Sequence, residues 1–303
     1  MEPSPKFRVA ICGGGPGGLA LAATLMRFND PTAPIAVEIY EAQPSLGTRD
    51  LWVLPTAMQT KWTKDTIFFK QNTPADVLIG SDGIRSTVRS TMLSEISGVG
   101  DTSSSVNPVW TGTTAYRALI KRETLNAVWK DHRTTHLPVI PCHYRSIAGA
   151  LINFVGFRTV PDGYGKPFEG KWVHDVSAEE VRACYAGFEP EVQALLKCFD
   201  KASAWAIHAM DDVSRCAVGS VAVLGDAVHA MLPHFGAGAG QALEDAYVLG
   251  RLLTHPLTTH ERIDTALAIY QDIRLEFAKD IVSRTRKVGM MYEFGDNWGP
   301  PPA

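Results

Sequence analysis

Cysteine is scarce in this chain, and no two cysteines are closely spaced. Its 303 residues include five cysteines, an odd number, with no C-x-x-C pair. This usage argues against a disulfide framework and a zinc site, and it is typical of a reducing compartment. A long apolar run near the N-terminus is also missing, because five glycines and one proline lie between residues 13 and 18. We therefore expect no signal peptide and no membrane-spanning helix, and we predict a soluble, cytoplasmic protein.

An excess of positive charge is also missing. Lys and Arg together number 29 against 32 Asp and Glu, which gives a net charge of −3. The chain thus lacks the basic footprint of a nucleic-acid-binding protein and any Lys/Arg block suited to a membrane surface. Apolar residues are plentiful at 45%, with 20% charged residues, so a substantial core is expected. The length predicts two domains or one large domain.

A glycine-rich turn lies between a predicted strand and a predicted helix near the N-terminus. Residues 7–12 (FRVAIC) have the pattern of a buried strand, and residues 18–28 are apolar at helical spacing. The glycines between them have the spacing G-x-G-x-x-G. Gly13 permits the sharp turn, Gly15 lets a pyrophosphate approach the backbone, and Gly18 lets the helix pack closely on the strand. The helix N-terminus then presents unpaired N–H groups to the phosphates.

Glu41 follows the next predicted strand, residues 35–40. It lies 41 − 18 = 23 residues after Gly18, near the ~20 expected for the acid that binds a ribose 2′-hydroxyl. Because a carboxylate repels a 2′-phosphate, the site suits FAD or NAD better than NADP. An ordinary glycine-rich turn is the alternative, but strand, helix and acid together favour dinucleotide binding.

Two further buried strands end next to an aspartate. Asp82-Gly83 follows the strand at residues 77–80, and Asp226 follows the strand at residues 220–225. Ligands of open parallel sheets bind beyond the carboxyl ends of the strands, so both acids are placed to meet a cofactor. A plain turn at Asp82 and a capping role for Asp226 are the alternatives.

A loop of small residues follows Asp226. It runs through Pro233 and the glycines of residues 236–240 into a helix predicted to end near Leu253. Small residues allow a flat ring to lie against the backbone. The N-terminus of the helix favours negative charge on the pyrimidine end of a reduced flavin.

The middle of the chain has a different pattern. Residues 107–175 alternate aromatic and β-branched residues, which predicts an antiparallel sheet. A capping box at Ser177 and Glu180 predicts a helix through Tyr185, and a second helix is expected from Pro190. A nucleotide-binding pattern at both ends with this sheet between them predicts one discontinuous domain that carries an insertion.

Three motifs occur together in the order GGGPGG with Glu41, ADVLIGSDGIRSTVR, and VLGDAVHAMLPHFGAGAGQALEDAYVLGRLL. On these motifs the chain resembles the single-component FAD-dependent aromatic hydroxylases, especially the salicylate hydroxylase branch. The resemblance implies an α/β fold with a Rossmann-like FAD-binding domain and an inserted antiparallel-sheet substrate domain. We place the first domain at residues 1–95 and 215–290, the second at 96–214, and a tail at 291–303.

The resemblance also implies which residues hold FAD. It assigns the AMP half to Gly13, Gly15, Gly18 and Glu41, the ribose and pyrophosphate to Asp82 and Gly83, the ribityl chain to Asp226, and the isoalloxazine border to Pro233, Gly238 and Ala239. It further implies NADH or NADPH as co-substrate. The expected reaction is hydroxylation of a small aromatic acid by a C4a-hydroperoxyflavin formed with O₂.

Two side chains are candidates for contact with the substrate. By the resemblance, His234 stands where the family has a histidine that binds or deprotonates a phenol; packing in a loop is the alternative. Arg117 is a candidate to clamp a substrate carboxylate, against the alternative of a surface arginine. His229, five residues before His234, is predicted to be structural.

The chain departs from the family pattern in one segment. Only residues 42–75 separate Glu41 from Asp76, where the family has a longer stretch with an Arg-x-Asp-Leu motif. Here Arg49-Asp50-Leu51 is out of register by one residue. Two other functions therefore stay open. One is a flavin-binding homologue with impaired turnover, and the other is a different FAD reaction, epoxidation or reduction, on the same scaffold.

Overall fold

The computed structural model describes residues 4–42, 75–97, 107–135, 139–140, 143–145 and 150–292. The chain forms two compact units, each with its own hydrophobic core. Met1–Pro108 and Ala209–Gly289 belong to the first unit, and the second is built on Val109–His208. The predicted domain boundaries, at residues 95/96 and 214/215, stay a prediction, because these units are defined by packing and not by function.

The strands of the described residues form two sheets. They are β1 (Phe7–Cys12), β2 (Ile35–Tyr40), β3 (Val77–Gly80), β4 (Val109–Lys121), β5 (Val139–Ile140), β6 (His143–Arg145), β7 (Leu151–Thr159), β8 (Val173–Ser177), β9 (Lys201–Ala209), β10 (Ala217–Val218) and β11 (Val221–Val223). The predicted strands at residues 7–12, 35–40 and 77–80 match β1, β2 and β3. The strand predicted at residues 220–225 is shorter, because the chain turns at Gly225, whose φ is +62°.

Helices account for much of the rest. They are α1 (Pro16–Phe28), α2 (Thr87–Ser97), α3 (Arg122–Val128), α4 (Ala178–Cys184), α5 (Pro190–Leu196), α6 (Asp226–His229), α7 (Gly238–Leu253) and α8 (Ile263–Tyr292). Helix α7 has the predicted bounds. Helix α2 begins at Thr87. Helix α8 continues to Tyr292 and so includes the first two residues of the predicted tail.

The first unit contains a five-stranded sheet in the order β10-β11-β3-β1-β2. Strand β1 is parallel to β2 and β3, and β11 is parallel to β3, while β10 pairs antiparallel with β11. In this register Cys12 lies opposite Tyr40 and Gly80, and Gly80 lies opposite Val223. The four parallel strands therefore end together at one edge of the sheet.

Helices α1 and α7 pack closely in the first unit. A Cβ at Gly250 would lie 2.5 Å from the Thr24 Cγ2 atom, so the two helices approach across a position that has room only for glycine. A Cβ at Gly17 would lie 2.6 Å from the Leu224 Cδ1 atom. The sequence pattern that we read as a dinucleotide turn therefore also sets how closely α1 packs on its neighbours.

The second unit contains a six-stranded sheet in the order β5-β6-β7-β4-β9-β8. The pairs β4/β7, β5/β6, β6/β7 and β8/β9 are antiparallel, as predicted for this part of the chain. Ser177 caps α4 by accepting a hydrogen bond from the Glu180 N–H at 3.3 Å, in line with the predicted capping box. Helix α5 begins at Pro190 and ends at Leu196. The α/β class is thus confirmed.

Residues 49–51 and the tail beyond Tyr292 lie outside the described residues. Cys12, Cys184, Cys198 and Cys216 are free thiols. A search of the described helices finds none that is both long and apolar enough to cross a membrane.

Candidate functional site

The glycine turn after β1 is tight on one side and open on the other. Gly13 has a φ of +110°, and a Cβ there would lie 2.9 Å from the Asp82 backbone nitrogen. A Cβ at Gly18 would lie 2.5 Å from the Ser81 Oγ atom. By contrast, no heavy atom of the described chain lies within 4 Å of a Cβ built at Gly15. The turn therefore leaves open space beside Gly15, where the pyrophosphate is predicted.

The N-terminus of α1 is suited to an anion. Gly15 is the N-cap, Pro16 occupies the first turn, and within the described residues no side chain caps the helix. The first turn also carries no acidic residue. No acidic residue of the helix's own first turn thus opposes the partial positive charge of the helix end, which is the property that binds phosphate at such turns.

Glu41 reaches the glycine turn from the end of β2. Its Oε2 atom accepts a hydrogen bond from the Gly14 N–H at 2.6 Å. The carboxylate therefore lies beside the turn, where the sequence spacing predicted the ribose.

Asp82 has a structural role within its own segment. One carboxylate oxygen accepts hydrogen bonds from the N–H groups of Thr87 at 2.8 Å and Val88 at 3.2 Å, and the other binds the Ser86 hydroxyl. These bonds cap α2, which explains why the helix begins at Thr87. Gly83 has a φ of +78°, and within the described chain no atom lies near a Cβ built there.

Arg89 is a residue that the sequence analysis missed. Its side chain is only 1% exposed, and its guanidinium donates to the carbonyl of Ile84 at 2.8 Å and to that of Ala227 at 2.9 Å. Burial lowers the pKa of Arg89, and the charge of Asp82 opposes this shift. Arg89 therefore ties the Asp82 segment to α6. Its position in the motif was visible in the sequence, but its burial depends on the tertiary contact with Ala227.

Asp226 is the first residue of α6, directly after the turn at Gly225. The residue is exposed to solvent, but protein around the carboxyl excludes enough water to raise its pKa, and the charge of His229 opposes this shift. A carboxyl that is enclosed by protein yet accessible from solvent is suited to contact a bound ligand.

A buried polar network lies beneath α6. Asp245 of α7 contacts His229 with 2.6 Å between Oδ2 and Nε2, and contacts Arg274 of α8 with 2.8 Å between Oδ1 and Nε. Arg274 also contacts Gln241 at 2.7 Å and Glu244 at 2.8 Å. His229 is thus in a structural contact, as predicted, but neither Asp245 nor Arg274 was singled out from the sequence.

His234 lies in a 3₁₀ helix, Pro233–Phe235, and packs against α8. A Cβ at Gly289 would lie 2.5 Å from the His234 Nε2 atom, so the imidazole occupies the space that glycine leaves. Burial lowers the pKa of His234. Pro233 is exposed.

The start of α7 also lacks a side-chain cap. Ala237 is its N-cap and forms no side-chain hydrogen bond, and the first turn has no acidic residue. Ala239 and Gly240 are exposed, and no described atom lies within 4 Å of a Cβ at Gly240. The backbone at Ala239 and Gly240 is thus open to a flat ligand.

Arg117 belongs to the second unit. It lies on β4 with its side chain exposed, and its guanidinium stands over the Trp205 ring at 5.4 Å from the centroid. The other predicted site residues all belong to the first unit, where the strand ends bring the glycine turn, Glu41, Asp82 and Asp226 to one edge of the sheet.

These features fit the predicted FAD. A dinucleotide with a flat ring requires open space such as that at Gly15, helix N-termini without a side-chain cap such as those of α1 and α7, and carboxyl groups such as those of Glu41 and Asp226.

Comparisons with known proteins agree with this description. Residues 69–285 match the family model described as FAD binding domain. A salicylate hydroxylase of Pseudomonas putida is 34% identical over 246 residues, which are 76% of this chain and 55% of that protein. A 6-methylsalicylate 1-monooxygenase of Aspergillus terreus is 30% identical over 239 residues, 77% of this chain and 51% of that protein. The chain thus spans about half the length of the curated relatives it matches.

Solved structures show the same fold. A salicylate hydroxylase in a substrate complex has a TM-score of 0.77 at 25% identity, covering 98% of this chain and 90% of that one. A 2,6-dihydroxypyridine-3-hydroxylase from Arthrobacter nicotinovorans has a TM-score of 0.68 at 15% identity, covering 98% and 96%, and supports the fold alone. The Rossmann-like α/β fold with an antiparallel second sheet is therefore confirmed. The chain belongs to the family of FAD-dependent aromatic hydroxylases, whose cofactor is FAD.

Proposed function

We propose that this chain is an FAD-dependent monooxygenase that hydroxylates a small, salicylate-like aromatic acid with NADH or NADPH and O₂. The observation that carries the proposal is the convergence of four parallel strand ends, which gathers the glycine turn, Glu41 and Asp226 at one edge of the first sheet. The similarity to salicylate hydroxylases supports the substrate class. We also propose a cytoplasmic location, which the cysteine usage supports.

In this proposal each part of the cofactor binds to the first unit. Gly13, Gly15 and Gly18 form the turn for the pyrophosphate, and Glu41 accepts from the ribose hydroxyls. Asp82 and Gly83 border the ribose and pyrophosphate. The open backbone at Gly15 and the uncapped end of α1 support this placement.

The flavin half lies against α6 and α7 in this proposal. Asp226 accepts hydrogen bonds from the ribityl hydroxyls, and Pro233, Gly238 and Ala239 border the isoalloxazine. When bound, FAD accepts a hydride from the nicotinamide and activates O₂ for transfer of one oxygen atom to the ring. The N-terminus of α7 supplies partial positive charge for the reduced, anionic ring.

His234 holds the phenol of the substrate in this proposal. Because burial lowers its pKa, the imidazole is neutral at neutral pH and accepts a hydrogen bond or a proton from the phenol oxygen. A phenol that gives up its proton is the stronger nucleophile toward an electrophilic oxygen. Arg117, on the second unit, stays a candidate for a carboxylate, since a guanidinium over an aromatic ring keeps N–H donors for a second partner.

Turnover with isotopically labelled oxygen tests the proposal. The purified protein, supplied with FAD and NADH or NADPH, is incubated with salicylate under ¹⁸O₂, and the product is analysed by mass spectrometry. We expect salicylate to accelerate NAD(P)H oxidation and the product to contain one ¹⁸O atom. Flavin binding with no response to any hydroxybenzoate would favour the impaired homologue. A saturated product without added oxygen would favour reduction, and an oxygen added across an alkene would favour epoxidation.

A further inference from the structure

One buried carboxylate holds both ends of helix α6. The Oδ2 atom of Asp245, a residue with 0% exposure, accepts a hydrogen bond from the Gly225 N–H at 2.9 Å and one from His229 Nε2 at 2.6 Å. Gly225 is the N-cap of α6, and His229 is its last residue. Asp226, the first residue of the helix, therefore lies between two points held by the same oxygen atom.

The charge of this carboxylate is balanced from α8. Arg274 donates from Nε to the Asp245 Oδ1 atom at 2.8 Å. Burial favours the neutral acid, but the hydrogen bonds from His229, Gly225 and Arg274 outweigh it and lower the pKa of Asp245. Asp245 is thus an ionised acceptor, which requires that His229 carry its hydrogen on Nε2.

Stability alone is a weak reason for such a network. Buried ion pairs add little compared with apolar residues of the same volume, and in some proteins they serve instead to define one arrangement of the groups that they join. Here the network joins the turn at Gly225, whose φ is +62°, to the far end of a helix of only four residues. A helix this short has too few internal hydrogen bonds to fix its own direction.

We propose that Asp245 is a positioning residue for the cofactor: by holding α6 at both ends, it sets where the Asp226 carboxylate meets the ribityl chain of FAD. The proposal rests on the cofactor role of Asp226 given above. Asp245 itself is buried and affects cofactor binding only by setting the position of Asp226.

A double-mutant cycle on FAD binding tests this coupling. Asp245→Asn keeps the side-chain volume but places an amide hydrogen against either His229 or Arg274, both of which donate. We expect the FAD Kd to rise roughly tenfold, with a changed visible circular dichroism of the bound flavin. In the Asp226→Ala background, Asp245→Asn should cause no further rise, because the contact through which it acts is gone.

Glu244→Gln is the matched control. Glu244 precedes Asp245 on α7 and also binds Arg274 at 2.8 Å, but its side chain is 52% exposed. The Glu244→Gln substitution should leave both the FAD Kd and the flavin circular dichroism unchanged. If Asp245→Asn does not fold, His229→Leu replaces it in the cycle, since leucine removes the donor that holds the last residue of α6 while Gly225 and Arg274 still bind the Asp245 carboxylate.

The outcomes separate this inference from the proposed function. Additive effects of the two substitutions on the FAD Kd would overturn the positioning role and leave the proposed function intact. An unchanged FAD Kd together with an unchanged flavin circular dichroism in Asp245→Asn would likewise overturn the positioning role. A wild-type protein that binds no FAD would overturn both.

Discussion

Individual side chains at the strand ends carry the cofactor site in this account. Asp226 is exposed at the start of α6, and the turn at Gly225 directs the chain away from the sheet at that point. His234 is half-buried against Gly289. The two residues therefore have distinct roles, one toward the cofactor and one toward the substrate, and substitution separates them.

Replacing Asp226 with alanine should weaken FAD binding. A hydrogen bond from a hydroxyl to a carboxylate contributes about 1.5–3 kcal/mol, so the Kd should rise roughly tenfold to a hundredfold. Fluorescence titration of the apoprotein with FAD measures this Kd. Asp272→Ala, at an exposed position of α8, is the control. An FAD content equal to that of the wild type would show that Asp226 does not bind FAD.

Replacing His234 with glutamine should separate flavin binding from turnover. The variant should keep FAD but lose about a hundredfold in salicylate-stimulated NAD(P)H oxidation, the smaller end of a general acid–base contribution. Hydroxylation at the wild-type rate would show that His234 only packs.

The burial of His234 also makes stability depend on pH. Its pKa is lowered from the ordinary 6.5, so the folded protein binds this proton less readily than the unfolded chain. The free energy of unfolding should therefore fall as the pH drops below about 6.5 toward the lowered pKa. Urea unfolding across this range should show a smaller decrease for His234→Gln than for the wild type. Equal slopes would contradict the shift.

At the scale of elements, glycines decide how closely helices approach. Gly250 of α7 meets Thr24 of α1, and Gly289 of α8 meets His234. Both positions are inside helices, where alanine would be favoured by about 1 kcal/mol if nothing opposed its side chain. The sign of the change in the free energy of unfolding caused by a glycine-to-alanine substitution therefore reports how closely the neighbouring side chain packs.

Gly250→Ala should destabilise the protein by about 1–3 kcal/mol, because its Cβ would lie 2.5 Å from the Thr24 Cγ2 atom. Thr24→Ala in the same chain removes that atom but keeps the Thr24 Cβ, which would lie 2.8 Å from the new Cβ, so it should restore part of the loss. Thermal unfolding of both single variants and the double variant measures the coupling. A stabilised Gly250→Ala variant would contradict close packing of α1 on α7.

Gly289→Ala should displace the imidazole of His234 while α8 stays helical. We expect FAD content to be unchanged and salicylate-stimulated oxidation to fall, as in His234→Gln. Ser283→Ala, at an exposed position of the same helix, controls for a general effect on α8. Wild-type turnover in Gly289→Ala would show that the contact has no part in catalysis.

At the scale of the whole molecule, local patterns predicted the elements and missed the buried charges. Strands β1, β2 and β3 and helix α7 follow from runs of apolar residues bounded by glycine and aspartate, which are local signals. Asp82 caps α2 through residues only four to six positions away, but the burial of Arg89 and Asp245 depends on partners from distant segments. Single-sequence patterns contain no term for such pairings, so these residues became visible only in the fold.

Stoichiometric FAD binding is the central claim for the molecule. The direct measurement is the visible absorption spectrum of the purified, FAD-reconstituted protein during titration with salicylate. The account predicts one flavin per chain, with bands near those of oxidised flavoproteins that shift as salicylate saturates a single site. A protein that remains colourless after reconstitution, or a flavin spectrum that no aromatic acid perturbs, would contradict it.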